Sequence, residues 1–200
     1  MSALTHDLVL TEALGPEEGA AKRIKQAALV ALGIAFLALT AKVQLFLPGN
    51  PVPITLTTFG VLTIGATYGA GLGLITVAGY LFVGALGFDV FAGSSAEKAG
   101  LIYMMGGTGG YLVGYVLAAA ALGMAARRGW DRSFLGMATA MLVGNAIIYV
   151  PGLLWLSTFA ESWSQTLAWG LTPFLMGDLL KLLLAAILVP ALWQLMGRAR

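Results

Sequence analysis

LTPFLMGDLLKLLLAAILVPALWQLM, residues 171–196, is an apolar run broken by one acid and one base, Asp178 and Lys181. A helix needs about 20 apolar residues to cross roughly 30 Å of hydrocarbon, so the run reads as a membrane span. An ionised side chain deep in such a span costs about 2.5–3.5 kcal/mol on insertion scales. Spacing i, i+3 puts the two side chains on one helix face, where opposite charges partly neutralise each other. That face points to a cavity or the bundle interior, and the pair is the leading candidate for a binding site. The alternative is an ion pair with a structural role only.

The rest of the chain lives in the same solvent. Of its 200 residues 59% are hydrophobic and 10% charged, with a mean hydropathy of +0.89, where a soluble domain carries about 25% charged residues. The chain is an all-α integral membrane protein. It has no cysteine, which excludes disulfides, thiolate nucleophiles and cysteine metal sites together. A net charge of +2, with no basic cluster interleaved with aromatics, offers nothing to nucleic acid.

Residues 1–21 form the one extended polar segment, read as a cytoplasmic tail with a short helix at 7–14. It carries acids but no Lys or Arg and lacks the order of a secretory signal. The membrane domain is 22–200. Apolar runs at 24–47, 101–126, 134–159 and 171–196 are each long enough to span. Two shorter stretches, 55–68 and 71–87, flank Tyr68-Gly69-Ala70-Gly71. The expectation is a bundle of six transmembrane helices. Lys22, Arg23, Lys25, Arg127, Arg128, Arg132, Arg198 and Arg200 then fall on one side, and the loops of the other hold only Lys98. Both termini are cytoplasmic by the positive-inside rule, in the plasma (inner) membrane. Lys42 lies near the outer end of the first helix, within snorkelling reach of the interface. Asp178 falls about 10 Å below the outer surface, so the site opens outward.

Pro48-Gly49-Asn50-Pro51-Val52-Pro53 holds the chain extended after the first helix and leads into Ile54-Thr55-Leu56-Thr57-Thr58-Phe59. This segment is a lid or a stiff external connection. Asn145 is the other strongly polar residue deep in a span, with Tyr149 one turn away on the same face. Its amide, donor and acceptor at once, suits a neutral ligand edge of the same kind, or an interhelical hydrogen bond. Asn145, Tyr149, Asp178 and Lys181 lie on two sequence-adjacent helices that can converge on one cavity. Gly106-Gly107-Thr108-Gly109-Gly110 is no phosphate loop, since no GxxxxGK[ST] occurs.

An intramembrane enzyme finds no catalytic set. The single histidine, His6, lies in the tail, and only one carboxylate, Asp178, is deep. A solitary secondary transporter or channel, with Asp178 and Lys181 as an ion or proton relay, is the stronger rival. Its sign would be inverted repeats, and none is visible in the sequence. Without an ATP-binding motif the chain binds, or at most facilitates passage, by itself. Ala27, Ala31 and Ala35 give the first helix a smooth stripe that permits close helix approach.

Several of these segments together resemble one family. They are PVPITLTTFGVL at 51–62, GFDVFAG at 87–93, GTGGYLVGY at 107–115, residues 144–155, and Gly177-Asp178-Leu179-Leu180-Lys181. In this order and spacing they are similar to the BioY family, the biotin-specific S components of energy-coupling factor transporters. The resemblance covers about residues 22–196. It implies six helices, an extracellular biotin site, and a cytoplasmic energising module of a membrane subunit plus ABC-type ATPases, docked through the alanine stripe. Transport alone, or as a homo-oligomer, stays open. The GDxxK match implies ligand contacts at Asp178 and Lys181, and the PxPxTxxTF match makes the loop with Thr55, Thr58 and Phe59 the cover of the site. Thr57 stands where the family often has Gln, and Ser94-Ser95-Ala96-Glu97-Lys98 replaces a glycine-rich or amide-bearing loop, leaving Ser94 or Ser95 to supply a polar contact. Biotin's ureido ring offers two N–H donors and a carbonyl, its thioether ring and chain are apolar, and its valerate is anionic. Asp178 suits the ureido N–H groups and Asn145 the ring. Lys181 suits either the carbonyl or the carboxylate. Phe59, Phe91, Tyr111, Tyr149 and Trp155 are candidate walls, or ordinary packing.

Overall fold

In hydrocarbon every backbone N–H and C=O must be satisfied inside the protein, and this chain meets that demand almost wholly with helices. The structure, a computed structural model, describes residues 8–16, 18–95 and 98–198. The chain runs through α1 (Gly19–Lys42), a hairpin of β1 (Gln44–Leu45) and β2 (Ile54–Thr55), α2 (Thr57–Ala85), α3 (Gly100–Met104) and α4 (Gly109–Arg127). It continues with α5 (Phe134–Leu156), α6 (Trp163–Gly170) and α7 (Leu175–Arg198), with 3₁₀ turns at Trp130–Arg132 and Thr172–Phe174. Five segments are long and apolar enough to cross a membrane: Gly19–Lys42, Thr57–Ala85, Gly109–Arg127, Phe134–Leu156 and Trp163–Met196. The protein is a multi-pass, helical membrane protein.

Within α2 one residue is not helical, Gly69, with φ 80 and ψ 170. That region of backbone space is essentially closed to residues with a Cβ. Gly69 lies in the interruption at residues 68–71, and the chain reverses there. A Cβ on Gly73 would sit 3.3 Å from the Gly65 Cα, whereas eight residues of straight helix span about 12 Å. The two arms of α2 therefore lie side by side, and Thr57 on the first and Tyr80 on the second line one cavity.

The polar segment before α1 is not a free tail from residue 8 onward. Val9 is fully buried and Leu10 nearly so. The Thr11 N–H and hydroxyl both donate to the Thr67 carbonyl at 3.1 Å, supplying a partner to a backbone group at the end of the first arm. Val9 lies over Gly69, with both its methyls 3.2 Å from where a Cβ would be. Glu12 pairs with Arg127 at 2.7 Å, Lys25 reaches the Leu14 carbonyl at 2.7 Å, and Arg132 reaches the Leu8 carbonyl at 3.0 Å. In place of the helix expected at 7–14 there is a turn in which Ala13 N–H donates to the Val9 carbonyl at 3.1 Å. Asp7 and His6 lie outside the described residues. A carboxylate at position 9 would be buried without a partner, which costs several kcal/mol. Val9→Asp is expected to free the segment and raise the rate of trypsin cleavage at Lys22 or Lys25 about tenfold; an unchanged digestion pattern would show that the segment is held by its polar contacts alone.

Other boundaries differ from expectation for local reasons. The first helix stops at Lys42 instead of Leu47, because Pro48, Pro51 and Pro53 return the chain in a hairpin with Gln44 opposite Thr55 and Leu45 opposite Ile54. The run 101–126 is two helices, broken at Gly106-Gly107, where the Trp155 indole N–H takes the Gly106 carbonyl at 2.8 Å. The span expected over 134–159 ends at Leu156, and the Ser157 and Thr158 hydroxyls turn back onto the carbonyls of Leu154 and Trp155. The connection after it holds an unexpected helix, α6, whose first turn is capped by Ser162 accepting from Gln165 N–H at 3.2 Å. Pro173 belongs to a 3₁₀ turn, so the last helix proper begins at Leu175, not Leu171.

Helices approach closely where glycine faces backbone. A Cβ on Gly65 would lie 2.7 Å from the Ala119 oxygen of α4, and one on Gly114 would lie 2.7 Å from the Ile148 Cα of α5. At the end of the bundle that holds the N-terminal segment, the Trp193 indole N–H donates to Asp131 at 2.6 Å and the Arg132 guanidinium lies 4.5 Å over the Trp193 ring. These contacts tie α7 to the α4–α5 connection, so both ends of the described chain share the arginine-rich end.

Candidate binding site

Asp178 lies in the first turn of α7, where the helix N-terminus favours a negative charge. Phe174, Asp178, Lys181, Ala185 and Val189 are buried along one stripe, while Leu179, Leu180, Leu183, Leu184 and Ile187 are exposed and face lipid. Asp178 and Lys181 are each only 6% exposed. The Lys181 ammonium donates to one Asp178 oxygen at 3.0 Å and to the Thr58 hydroxyl of α2 at 3.0 Å. The Tyr149 hydroxyl of α5 donates to the other Asp178 oxygen. Three helices thus hold one charge-neutral cluster with both carboxylate oxygens occupied, the condition under which a buried pair is tolerated.

The cluster borders a cavity of about 50 Å³. Thr55, Thr58, Phe91, Tyr111, Asn145, Tyr149 and Lys181 of the sequence candidates line it. Asn145 is buried, one turn below Tyr149, and no described residue is hydrogen-bonded to its amide. An uncommitted donor and acceptor beside an ion pair is what a polar, uncharged ligand edge requires.

Other candidates stand back from the cavity. Asp178 is in the second rank, touching it through Lys181 and Tyr149. Phe59 packs on the core, and Trp155 braces the Gly106 carbonyl. Ser94 does not reach the cavity, because its hydroxyl is taken up by Asp89 and by the Phe91 carbonyl. Tyr111 has its hydroxyl committed to the Gly170 carbonyl at 2.9 Å, so it offers the cavity its ring alone. Ala27, Ala31 and Ala35 are all exposed on α1, a helix that contributes no residue to the cavity wall.

Sequence reasoning missed Tyr80, Tyr103, Tyr115 and Phe174, which complete an aromatic box with Phe91. Phe91 meets Tyr80 edge-on at 5.3 Å and stacks on Tyr103 at 4.9 Å. The available signal was tyrosine within apolar helices, since a buried hydroxyl needs a partner and so marks polar surroundings. The proline-rich loop covers one side of the cavity. Pro53 lines the cavity, Val52 is buried, and the Asn50 amide donates to the Trp169 carbonyl of α6 at 2.9 Å.

At the end of α1, Lys42 is not a free snorkelling cation. It pairs with Asp89 at 2.6 Å and holds that carboxyl below its ordinary value, with Ser94 adding to the effect. Because the folded-state value is depressed, the pair survives mild acid and dissolves only as the pH falls through that lowered value.

This arrangement can be compared with proteins of known kind. The model of the BioY family matches residues 12–198. A probable biotin transporter BioY of Pyrococcus horikoshii is 32% identical over 170 residues, 85% of this chain and 97% of that one. The biotin transporter BioY of Thermotoga maritima is 32% identical over 167 residues, 84% of this chain and 96% of that one. Among solved structures, an S-component for biotin from an ECF-type ABC transporter superposes with a TM-score of 0.75 at 22% identity, covering 88% of this chain and 95% of that one, a likeness of fold. Matched over nearly its whole length, the chain belongs to the BioY family.

Proposed function

We infer that the protein takes up biotin, as the substrate-specific membrane component of an energy-coupling factor transporter. It is not an enzyme. The observation that carries the assignment to this cavity is the neutral Asp178–Lys181–Tyr149–Thr58 cluster beside the uncommitted Asn145 amide. In this reading Asn145 pairs with the ureido group, and Lys181 bonds its carbonyl or attracts the valerate. Asp178 accepts a ureido N–H when Tyr149 gives way, and the aromatic box receives the thioether ring. Thr55 and Thr58 add hydroxyls at the mouth of the lid. Phe59 and Ser94 act behind the walls.

Two arms of α2 counted separately make six spans, with the arginine-rich end and both termini cytoplasmic and the proline lid outside. The energising membrane subunit and its ATPases dock on the cytoplasmic side, with the exposed Ala27, Ala31 and Ala35 as their smooth contact. The membrane is the plasma membrane.

A cavity of about 50 Å³ is far below the roughly 300 Å³ and more of sites for drug-sized ligands. Binding therefore includes displacement of a wall. Calorimetric titration of the purified chain with biotin is expected to give saturable one-site binding, and a folded chain that fails to bind would reject the assignment. Proton flux through liposomes holding the chain alone would favour the ion relay instead.

A further inference from the structure

Phe91 seals the cavity, but its backbone is held from outside. The segment 89–94 connects α2 to α3, and three successive carbonyls in it are each bonded by a side chain. Tyr80 donates to the Val90 carbonyl at 3.0 Å, Lys42 to the Phe91 carbonyl at 3.0 Å, and Tyr103 to the Ala92 carbonyl at 2.8 Å. Lys42 also holds Asp89 at 2.6 Å, and Ser94 bonds the same two acceptors. Tyr80 and Tyr103 bond from within the cavity wall, whereas Lys42, the last residue of α1, bonds from the surface.

On the far side of this segment lies an open cleft of about 420 Å³, lined by Phe46, Gly93 and Lys98 among others. The cleft and the cavity share Pro53, Ala92, Tyr103 and Thr108 as walls. Of these, Pro53 is the least free to move, because proline fixes its φ and the Asn50 side chain bonds both the Val52 N–H, at 2.8 Å, and the Trp169 carbonyl. The Ala92 wall is attached through side-chain hydrogen bonds and one ion pair. That pair is exposed, 37% for Lys42 and 61% for Asp89, and exposed pairs exchange readily with water and are screened by salt.

Resting on the reading of the cavity as the biotin site, we propose that Lys42 is a positioning residue for ligand exchange: it latches segment 89–94, which is the movable partition between cleft and cavity. Biotin passes when Lys42 releases Asp89 and the Phe91 carbonyl and the Phe91 ring swings off Tyr103. Lys42 touches no ligand. It sets how often the partition opens and leaves the contacts inside unchanged.

The test is stopped-flow association and dissociation of biotin with the full chain in detergent. The wild-type rates are expected to rise with salt, and Lys42→Met is expected to raise both rates about tenfold, so that Kd moves much less than either, and to remove that salt dependence. Lys42→Arg should keep wild-type rates, and the reversed pair Lys42→Glu with Asp89→Lys should recover most of the slow exchange. Asp89→Asn serves as a second probe wherever Lys42→Met does not fold. Wild-type rates in a folded Lys42→Met, or a higher dissociation rate with unchanged association, would overturn the proposal. Absence of biotin binding by the wild type would instead reject the assignment of the cavity.

Discussion

Lys181→Met is expected to weaken biotin binding at least about a hundredfold and to lower the melting temperature in detergent by about 10 °C. The second effect follows from leaving the Asp178 carboxylate buried with Tyr149 alone, and breaking a buried pair from one side costs about 3–5 kcal/mol. Replacing both partners, Asp178→Leu with Lys181→Met, removes the uncompensated charge, and such apolar replacements are often neutral or stabilising. The double variant is expected to melt at or above the wild-type temperature and still not bind biotin. This pair of variants separates the two meanings of a buried ion pair. A stable double variant that binds biotin normally would make Asp178 and Lys181 structural, and a double variant as unstable as the single one would mean that Thr58 and Tyr149 need the charges for packing.

Gly69→Val carries the other large effect. With φ at 80 and ψ at 170 the position admits almost no residue but glycine, at about 1–3 kcal/mol for a side chain forced there and more for a β-branched one. The new Cβ would also press on both methyls of Val9, at 3.2 Å. The expected result is a melting temperature about 6–12 °C lower and a reduced monodisperse fraction on size exclusion. Gly71→Ala is the matched control. Nothing lies within 4 Å of a Cβ there, and alanine improves helix propensity by about 0.5–1 kcal/mol. Equal losses in both variants would show that the region needs small residues generally, and that the Gly69 backbone is not special.

Class and environment were legible in the sequence because they follow from composition and run length, and the 178/181 pair stood out because charge in hydrocarbon is costly. The interruption at 68–71 was visible as glycine density, although the reversal itself is a property of one dihedral pair at Gly69. Asn145 and Tyr149 share one face of α5 and Asp178 and Lys181 one face of α7, because i, i+4 and i, i+3 spacing fixes a common face within each helix; Asn145, Tyr149 and Lys181 line the cavity and Asp178 stands behind it. What spacing within a helix cannot give is the rotation of one helix against another. Thus Tyr80, Tyr103 and Tyr115 turned into the cavity unannounced, and Ser94 turned away from it. The N-terminal segment escaped for a different reason: it is held through backbone carbonyls, Lys25 donating to that of Leu14, Arg132 to that of Leu8 and Thr11 to that of Thr67, and a carbonyl carries no sequence signature.

The balance of Asp178 against Lys181 has an electrical side. Their opposite charges cancel within 3.0 Å, so without ligand the site contributes no net charge, and exposing it to either face of the membrane moves none through the transmembrane field. Bound biotin brings one carboxylate with it. Each elementary charge carried across the full field is worth about 2.3 kcal/mol per 100 mV. With the cell interior negative, the membrane voltage opposes inward movement of that carboxylate, while the empty site adds no electrical contribution of its own.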